Sequence, residues 1–446
     1  MQKLISFISE HAGDDLTKLL LNRHRWPEID VALAADCILS RRKLRGKVER
    51  WASDPELICP LPLSAEQCSS DGTAAYKAAL AEHIALEGRL PDDERGNSWS
   101  IADLTGGLGI DSWYFSRKAS EVLYNEMQPV LARAAAHNFK VLGADNIKVS
   151  NRAVVPTISL ARLQEDKGGS WASPSMLLDG FHPDLIFMDP ARRGEGGRKN
   201  FLLEDCTPDV LGLMDELWPC TEHILLKLSP MADITMVADR LGSACREIHE
   251  VSAGGECKEL LVWLDGRRLI RANEAADEVP CGYELVICES GETLRCPASA
   301  EKSAVPTIAS AELLEMLEKG ELSGWKLFEP GKSLMKAGLF NYLSAHFKLL
   351  KAGRSTHYYL VPATVGPTVT ESLKGLGKLL PIREVVAFNK RNLKDLASRF
   401  PHCEVTARNL PLSSDELRKK MKVASGDDAH IYALKTDTAG NLLFVC

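Results

Sequence analysis

The pattern of apolar and polar positions divides the chain into three stretches. From residue 1 to about 95, apolar residues recur at helical spacing, as in IDVALAADCILSRRKL and AAYKAALAEHIAL. From about 97 to 268, short apolar runs alternate with helical segments, which predicts a parallel sheet with helices on both faces. After Asp265 short strands and helices mix, which predicts smaller α+β units.

Apolar runs of strand length recur through the middle stretch. Strands are expected near residues 100–105, 121–126, 147–151, 184–189, 223–228, 246–251 and 259–264. The last two runs face each other across Ala253-Gly254-Gly255, and this connection is too short for a parallel crossover of a dozen or more residues. An antiparallel hairpin is therefore expected at the end of the sheet.

The first of these runs ends in a glycine-rich turn, Thr105-Gly106-Gly107-Leu108-Gly109, and residues 110–118 can continue as a helix. Glycine tolerates positive φ and has no Cβ to hold a ligand away, and the free N–H groups of the following helix favour an electronegative partner. Roughly 20 residues on, Glu126 ends the second run, where nucleotide-binding folds place a carboxylate that accepts both ribose hydroxyls. The turn and this acid predict a nucleotide site.

Two other interpretations of the turn remain open. A dinucleotide-binding fold would carry a third glycine at position 112, where this chain has Ser112. An ordinary connection between a strand and a helix can also be rich in glycine without binding a ligand.

Three motifs in order resemble those of class I S-adenosylmethionine-dependent methyltransferases. DLTGGLGID (103–111), YNEM (124–127) and FMDPARRG (187–194) resemble the nucleotide-binding motif, the ribose acid and the catalytic loop of these enzymes. EQCSSDGTAAYKA (66–78), ECKELL (256–261) and VTARNLPLSSDELRKKMK (405–422) are similar to a bacterial family of such enzymes with a THUMP-like C-terminal domain. The resemblance covers most of the chain.

The resemblance implies an α/β fold, in which a seven-stranded Rossmann-like methyltransferase sheet is joined by a helical N-terminal domain and α+β C-terminal modules. The expected division is a helical domain at 1–95, the methyltransferase domain at 96–270, a small ferredoxin-like α+β module at 271–325 and a THUMP-like domain at 326–446.

The resemblance also implies which residues hold S-adenosylmethionine. Asp103 would stand near the methionyl amino group, Glu126 would take the ribose, and Met127 would cover the adenine. Asn151 replaces an acid that many relatives carry after the third strand, and its side-chain oxygen would accept a hydrogen bond from the adenine amino group. The expected cofactor-binding residues are Asp103, Thr105, Gly106, Gly107, Gly109, Asp111, Glu126, Met127 and Asn151.

The loop after the fourth strand carries the expected catalytic residues Asp189, Pro190 and Arg192. Relatives that methylate amino groups continue the Asp-Pro pair with a proline and an aromatic residue, but here Ala191 and Arg192 follow. The loop resembles instead that of enzymes that methylate carbon 5 of pyrimidines in RNA, with Asp189, Arg192 and Gly194 matching.

Those carbon-5 enzymes need a cysteine nucleophile at the end of the next strand, where this chain has Lys227-Leu228-Ser229-Pro230. The sequence therefore favours direct transfer to a ring nitrogen or another heteroatom. Asp189 would act as hydrogen-bond acceptor or base, and Arg192 would hold a phosphate or carbonyl group. Cys206 and Cys257 could be recruited as nucleophiles, but buried structural thiols are the preferred interpretation.

Composition limits the class of protein. A chain of 446 residues is expected to form two to four domains, and its net charge of -7 argues against a generally basic nucleic-acid coat. The twelve cysteines form no CxxC pair, and there is no secretory signal and no apolar run near 18 residues. We expect a cytoplasmic protein with reduced thiols, no membrane segment and no metal site.

Basic residues concentrate in two regions, so RNA contacts are expected in local patches. SRRKLRGKVERW (40–51) is either a solvated helix face or an RNA contact with Trp51 as a stacking surface. The C-terminal basic residues are Lys390, Arg391, Lys394, Arg399, Arg408, Arg418, Lys419, Lys420 and Lys422. They fit an accessory RNA-binding domain or the outer faces of amphipathic helices.

The segment before residue 74 is dense in small polar groups. Ser70 or Asp71 could cap the following helix, or the loop could fold over the cofactor cleft.

We therefore expect a methyltransferase that uses S-adenosylmethionine and acts on an RNA base in rRNA or tRNA. The alternatives are a methyltransferase for a protein or a small molecule, a non-enzymatic RNA-binding or cofactor-binding module, and an oxidoreductase. Ser112 and the short final hairpin speak against the oxidoreductase, and the intact Asp103, Glu126 and Asp189-Pro190 speak against an inactive site.

Overall fold

The computed structural model describes residues 2–89, 95–163, 170–192, 203–274 and 282–446. The chain forms two compact units, Met1–Ile248 with Glu259–Cys281, and His249–Lys258 with Gly282–Cys446. The division into four domains expected from the sequence stays a prediction.

The first unit contains a run of helices followed by alternating strands and helices. Its helices are α1 (Gln2–Glu10), α2 (Leu16–Leu21), α3 (Val31–Leu44), α4 (Glu49–Ser53), α5 (Pro62–Gln67), α6 (Asp71–Leu86), α7 (Ile110–Ser116), α8 (Pro129–Val141), α9 (Thr157–Leu163), α10 (Pro174–Leu177), α11 (Val210–Leu217), α12 (Ile234–Leu241) and α13 (Arg267–Glu274). The α/β fold class predicted from the sequence is confirmed.

Strands occur at all of the predicted positions. They are β1 (Ser100–Asp103), β2 (Glu121–Asn125), β3 (Ile147–Ser150), β4 (Leu185–Met188), β5 (His223–Leu228), β6 (Cys245–Ala253) and β7 (Glu256–Asp265). These strands of the large sheet lie in the order β3-β2-β1-β4-β5-β7-β6. Strands β3, β2, β1, β4 and β5 pair in parallel, and β7 pairs antiparallel with β5. Because only Gly254 and Gly255 connect β6 to β7, the two form the antiparallel hairpin expected from the sequence.

Burial explains why the central strands are continuous apolar runs. All four residues of β4 are buried, as expected for a parallel strand that is covered by helices on both faces. Helix α6 contacts α7 and strands β4 and β5, so part of the N-terminal helical region packs directly on this sheet. Two-residue strands also pair outside the main sheet, Ala153–Val154 with Trp171–Ala172 and Ala191–Arg192 with Cys206–Thr207.

The second unit contains two further sheets. Its helices are α14 (Ala300–Ser303), α15 (Ala311–Glu318), α16 (Lys332–Ala337), α17 (Phe340–Phe347), α18 (Pro367–Leu376), α19 (Lys390–Arg399) and α20 (Ser414–Met421). Its strands are β8 (Glu284–Glu289), β9 (Glu292–Pro297), β10 (Thr307–Ile308), β11 (Lys326–Pro330), β12 (Leu350–Gly353), β13 (Thr356–Val361), β14 (Gly377–Pro381), β15 (Glu384–Ala387), β16 (Glu404–Arg408), β17 (His430–Lys435) and β18 (Asn441–Val445).

Strands β8 and β9 form an antiparallel hairpin. A five-stranded sheet has the order β10-β12-β13-β11-β14, and a four-stranded sheet has the order β15-β18-β17-β16. One apolar cluster contains Leu327 and Leu360 from the five-stranded sheet with Tyr432 and Phe444 from the four-stranded one. Within the described ranges, no helix is long and apolar enough to cross a membrane.

A buried asparagine ties the N-terminal region to the sheet layer. The side chain of Asn138 on α8 accepts from the backbone N–H of Ile58 at 2.8 Å and donates to the carbonyl oxygen of Ile58 at 2.8 Å. Asn138 has no exposed surface. Its two hydrogen bonds therefore satisfy both backbone groups of one extended residue that would otherwise be buried unpaired.

We expect Asn138→Ala to lower the free energy of unfolding by about 2–4 kcal/mol, because two buried backbone groups lose their partners. Urea denaturation followed by tryptophan fluorescence measures this loss. The control is Arg133→Ala on the exposed side of the same helix, which should change stability by less than about 0.5 kcal/mol. Equal effects of the two substitutions would contradict the role given to Asn138.

Candidate functional site

The glycine turn lies at the carboxyl end of β1 and leads into α7. Gly107 has a φ of +55° and Gly109 a φ of +95°, which is the left-handed region that favours glycine. A Cβ on Gly106 would come within 2.1 Å of the Tyr124 ring, and a Cβ on Gly109 within 2.9 Å of the Phe139 ring. Gly106 and Gly109 are thus required by packing inside the protein. A Cβ on Gly107 would meet no atom closer than 3.9 Å, so this position alone faces open space.

Asp103 ends β1 beneath this turn and is only 1% exposed. Its carboxylate accepts from the Thr105 backbone N–H at 3.0 Å and from the Ser112 hydroxyl at 2.5 Å. Burial raises the pKa of Asp103 to about 8, although both hydrogen bonds oppose the rise. Position 112, where a dinucleotide-binding fold would carry glycine, therefore holds a serine whose hydrogen bond keeps Asp103 in place.

Glu126 holds the turn from the end of β2. One carboxylate oxygen accepts from the Gly107 N–H at 2.8 Å and the other from the Gln128 N–H at 2.7 Å. Burial raises the pKa of Glu126, and these backbone donors oppose the rise. Each carboxylate oxygen has a second lone pair, so the side chain can accept further hydrogen bonds.

The two other residues expected near the adenine lie beside Glu126. Asn151 donates its side-chain N–H to the backbone oxygen of Glu126 at 2.5 Å, and this bond does not use its amide oxygen. Met127 is 51% exposed. Asn125 ends β2, and its side chain bonds to the backbone of Leu104 after β1 and of Arg152 after β3, so it connects the ends of these three strands.

The catalytic loop predicted from the sequence is attached directly to the glycine turn. The backbone N–H of Asp189 donates to the Thr105 hydroxyl at 2.6 Å. Pro190 is buried, and the backbone of Arg192 pairs with that of Cys206. The side chain of Arg192 and the whole of Gly194 lie outside the described residues, so their expected roles stay predictions.

Lys227, near the end of β5, forms an ion pair with the Asp189 carboxylate. Burial would lower the pKa of the Lys227 amine, but Asp189, Glu259 and Asp111 raise it well above its usual value. Burial raises the pKa of Asp189, and Lys227 opposes that rise. No role was expected for this lysine from the sequence, although a charged residue within the apolar run HILLKL was a usable signal.

The segment around Ser69 contacts the turn and also caps a helix. Ser70 caps α6 in a capping box with Thr73, which confirms one of the two interpretations made from the sequence. The Ser69 hydroxyl donates to Asp111 at 2.8 Å, and the Tyr114 hydroxyl donates to Asp71 at 2.7 Å. This segment therefore packs against the first turns of α7.

The structure argues against the cysteines as nucleophiles. Cys206 has no exposed surface. Cys257 donates to the Glu250 carboxylate at 2.9 Å, and burial together with Glu250 raises its thiol pKa well above the usual range. Ser229 accepts a hydrogen bond from the backbone N–H of Met231. No disulfide occurs among the cysteines that the structure describes.

Residues of the first basic segment have structural roles. Trp51 has no exposed surface, so the interpretation of Trp51 as a stacking surface is wrong. Arg41 donates to the carbonyl oxygens of Pro55 and Leu57, because it lies in the packed interior of the helical region. Arg42, Lys43, Lys47 and Arg50 also bond to neighbouring carbonyl oxygens or acids.

The second basic region divides into paired and unpaired residues. Arg399 pairs with Glu384 and Asp395, Arg418 pairs with Asp415, and Arg408 donates to the Tyr358 hydroxyl. The remaining residues are exposed and form no ion pair within the described part of the second unit: Lys390, Arg391, Lys394, Lys419, Lys420 and Lys422. They belong to α19, α20 and the residue after α20, and the two helices contact each other.

Comparison with solved structures places this geometry in a known fold. A candidate methyltransferase from Porphyromonas gingivalis W83 is similar over 99% of this chain and 96% of its own, with 26% identity and a TM-score of 0.74. A human methyltransferase 10 domain containing protein covers 53% of this chain and 97% of its own, with 12% identity and a TM-score of 0.31. The tRNA methyltransferase TrmK of B. subtilis covers 45% and 68%, with 14% identity and a TM-score of 0.28. These last two similarities are too weak to carry an inference.

Family comparisons identify the C-terminal region. Residues 327–365 match a ferredoxin-like domain, downstream of the 271–325 where such a module was expected, and residues 377–446 match the THUMP domain-like family. No curated protein matches the sequence. The chain therefore has the fold of class I methyltransferases and ends in a THUMP-like domain.

Proposed function

We propose that this protein is a cytoplasmic methyltransferase that uses S-adenosylmethionine and methylates a heteroatom of an RNA base. The observation that carries this proposal is the bond between the Asp189 backbone and Thr105, because it brings the glycine turn and the catalytic loop to one edge of the sheet. Open α/β sheets bind ligands at this edge, outside the carboxyl ends of their strands.

The residues at this edge fit the cofactor. The open space beside Gly107 leaves room for a ligand against the turn, and Glu126 lies next to that space with lone pairs to spare for ribose hydroxyls. The amide oxygen of Asn151 and the exposed side chain of Met127 would face the adenine. When bound, S-adenosylmethionine would supply a methyl group already activated on a sulfonium sulfur.

The chain itself has to orient the acceptor and receive its proton. A ring nitrogen that gains a methyl group must lose any hydrogen it carried, and the partly buried Asp189 carboxylate would accept it. The raised pKa of Asp189 suits a proton acceptor, and Lys227 holds the carboxylate in place. The Arg192 guanidinium would hold a phosphate or carbonyl group of the acceptor.

RNA as the acceptor is supported by the unpaired basic residues of the THUMP-like domain. Arginine and lysine side chains already paired with acids add little attraction for phosphate, whereas the exposed, unpaired ones release counterions when RNA binds. The overall test is methyl transfer from labelled S-adenosylmethionine to RNA from a strain deleted for the gene, with nucleoside mass analysis. Transfer to protein or small molecules instead of RNA would overturn the assignment of the acceptor.

We expect Glu126→Ala and Gly107→Val to weaken S-adenosylmethionine binding by at least about tenfold, since hydrogen bonds to a charged group are lost in one and the open space is filled in the other. Calorimetry measures the affinities. Asp145→Ala, which removes an exposed acid before β3, is the control and should bind normally. Unchanged affinity in both site variants would contradict the location of the cofactor site.

We expect Asp189→Asn to lower the rate of methyl transfer by about 10²–10⁴-fold, as is typical for loss of a general base, while cofactor affinity is largely kept. Ser229→Ala should change the rate little, because this hydroxyl has no assigned chemistry. Single-turnover kinetics distinguishes the two. A covalent adduct with RNA that contains 5-fluoropyrimidine would instead show a nucleophilic mechanism.

The variant Lys390→Ala/Lys394→Ala should weaken RNA binding and reduce its dependence on salt, because two phosphate contacts on one helix face are removed. The matched control is Arg133→Ala/Lys140→Ala, which removes two exposed cations from α8. Filter binding across a salt series gives both affinity and slope. An equal loss of RNA affinity in both variants would show that the effect comes from net charge alone, and it would contradict a specific role of Lys390 and Lys394.

A further inference from the structure

A lysine with no exposed surface lies beside the glycine turn. Lys77 on α6 donates to both carboxylate oxygens of Glu259 on β7, each at 2.7 Å. Lys77 is 0% exposed and Glu259 is 2% exposed. Taking two charges out of water is costly, so a buried ion pair is weak evidence for stability and raises the question of a functional role.

Asp111 is the third member of this cluster. Its Oδ2 accepts from the Ser69 hydroxyl at 2.8 Å, whereas its Oδ1 lies 3.4 Å from the Lys77 Nζ. Oδ1 is buried and accepts no hydrogen bond from the described part of the chain. A buried carboxylate oxygen without a donor is destabilising, and a ligand that supplies the donor removes the penalty.

Glu259 explains why Lys77 leaves Oδ1 without a hydrogen bond. An ammonium group has three donors, and Glu259 takes two of them in a bidentate arrangement that turns Lys77 toward β7. The ammonium group and Asp111 Oδ1 form an ion pair at 3.4 Å, but the third donor makes no hydrogen bond to this oxygen. Without the Glu259 charge, the nearest carboxylate for the buried ammonium is Asp111. A short movement of Lys77 would then satisfy Oδ1 from within the protein.

We propose that Glu259 and Lys77 are positioning residues that keep Asp111 Oδ1 available for the methionyl ammonium group of the cofactor. The inference rests on the proposed function, because it requires an adenosyl cofactor at Gly107. It adds to that function two residues, outside the glycine turn and the catalytic loop, that set affinity for the amino-acid end of the cofactor.

Three ligands separate this effect from a general loss of structure. S-Adenosylmethionine and S-adenosylhomocysteine both carry the methionyl ammonium group, whereas methylthioadenosine has the same adenosine and no amino-acid part. Calorimetry with the full chain compares the affinities of all three. An effect on the amino-acid end of the cofactor changes the affinities of the first two ligands and spares that of the third.

We expect Glu259→Gln to weaken S-adenosylmethionine and S-adenosylhomocysteine about tenfold, since Lys77 closes on Asp111, and to leave methylthioadenosine unchanged. The double variant Lys77→Met/Glu259→Gln removes the competing ammonium and should restore wild-type affinity or exceed it. Replacement of a buried ion pair by neutral side chains of similar volume is often tolerated, so the double variant tests the proposal even if the single one does not fold.

Several results would overturn this inference and leave the proposed function intact. These are unchanged affinities in Glu259→Gln, equal losses for all three ligands, a loss for S-adenosylmethionine alone, or a double variant that folds and still binds weakly. Absence of binding of every ligand to the wild-type chain would instead overturn the proposed function, and this inference with it.

Discussion

The hydrogen bond from the Asp189 backbone to the Thr105 hydroxyl joins the two loops on which the candidate site depends. Parallel strands bring their carboxyl ends to one edge, but the loops that follow are free to diverge. This one bond holds the start of the catalytic loop against the glycine turn. The side chains of Asn125 and Glu126 then bond to the backbone at the ends of β1 and β3 and in the turn, so hydrogen bonds between side chains and backbone connect the ends of four strands.

Buried charge is the second constraint at this edge of the sheet. Lys77 and Lys227 are matched by Glu259 and Asp189, and Asp111 lies close to Lys77. A buried charge is tolerated only with a partner, so the members of this cluster depend on one another. The N-terminal helices contribute Ser69 and Lys77 to this cluster and are therefore part of the candidate site.

Much of the fold followed from local pattern. The buried run of β4, the alternation of strands with helices and the two-glycine connection between β6 and β7 are read directly from neighbouring residues. Gly107, Glu126 and Asp189 could also be selected from the sequence, because a glycine turn or an acid after an apolar run has chemical meaning without knowledge of distant contacts. Local pattern does not show that α16 and α17 are separate helices, a break at which Gly338 adopts a φ of +70°.

The sequence by itself determined the positions of the strands and the acids that end them, at the carboxyl edge of the sheet where open α/β folds bind ligands. Only the tertiary structure decided which charges are paired, because Lys77 and Glu259 are 182 positions apart and no local pattern links them. It also showed that Trp51 and Arg41 are buried whereas Lys390 and Lys394 are exposed. The residue types alone do not reveal this difference. Periodicity reports which face of an element is apolar, whereas pairing and exposure depend on which elements pack together.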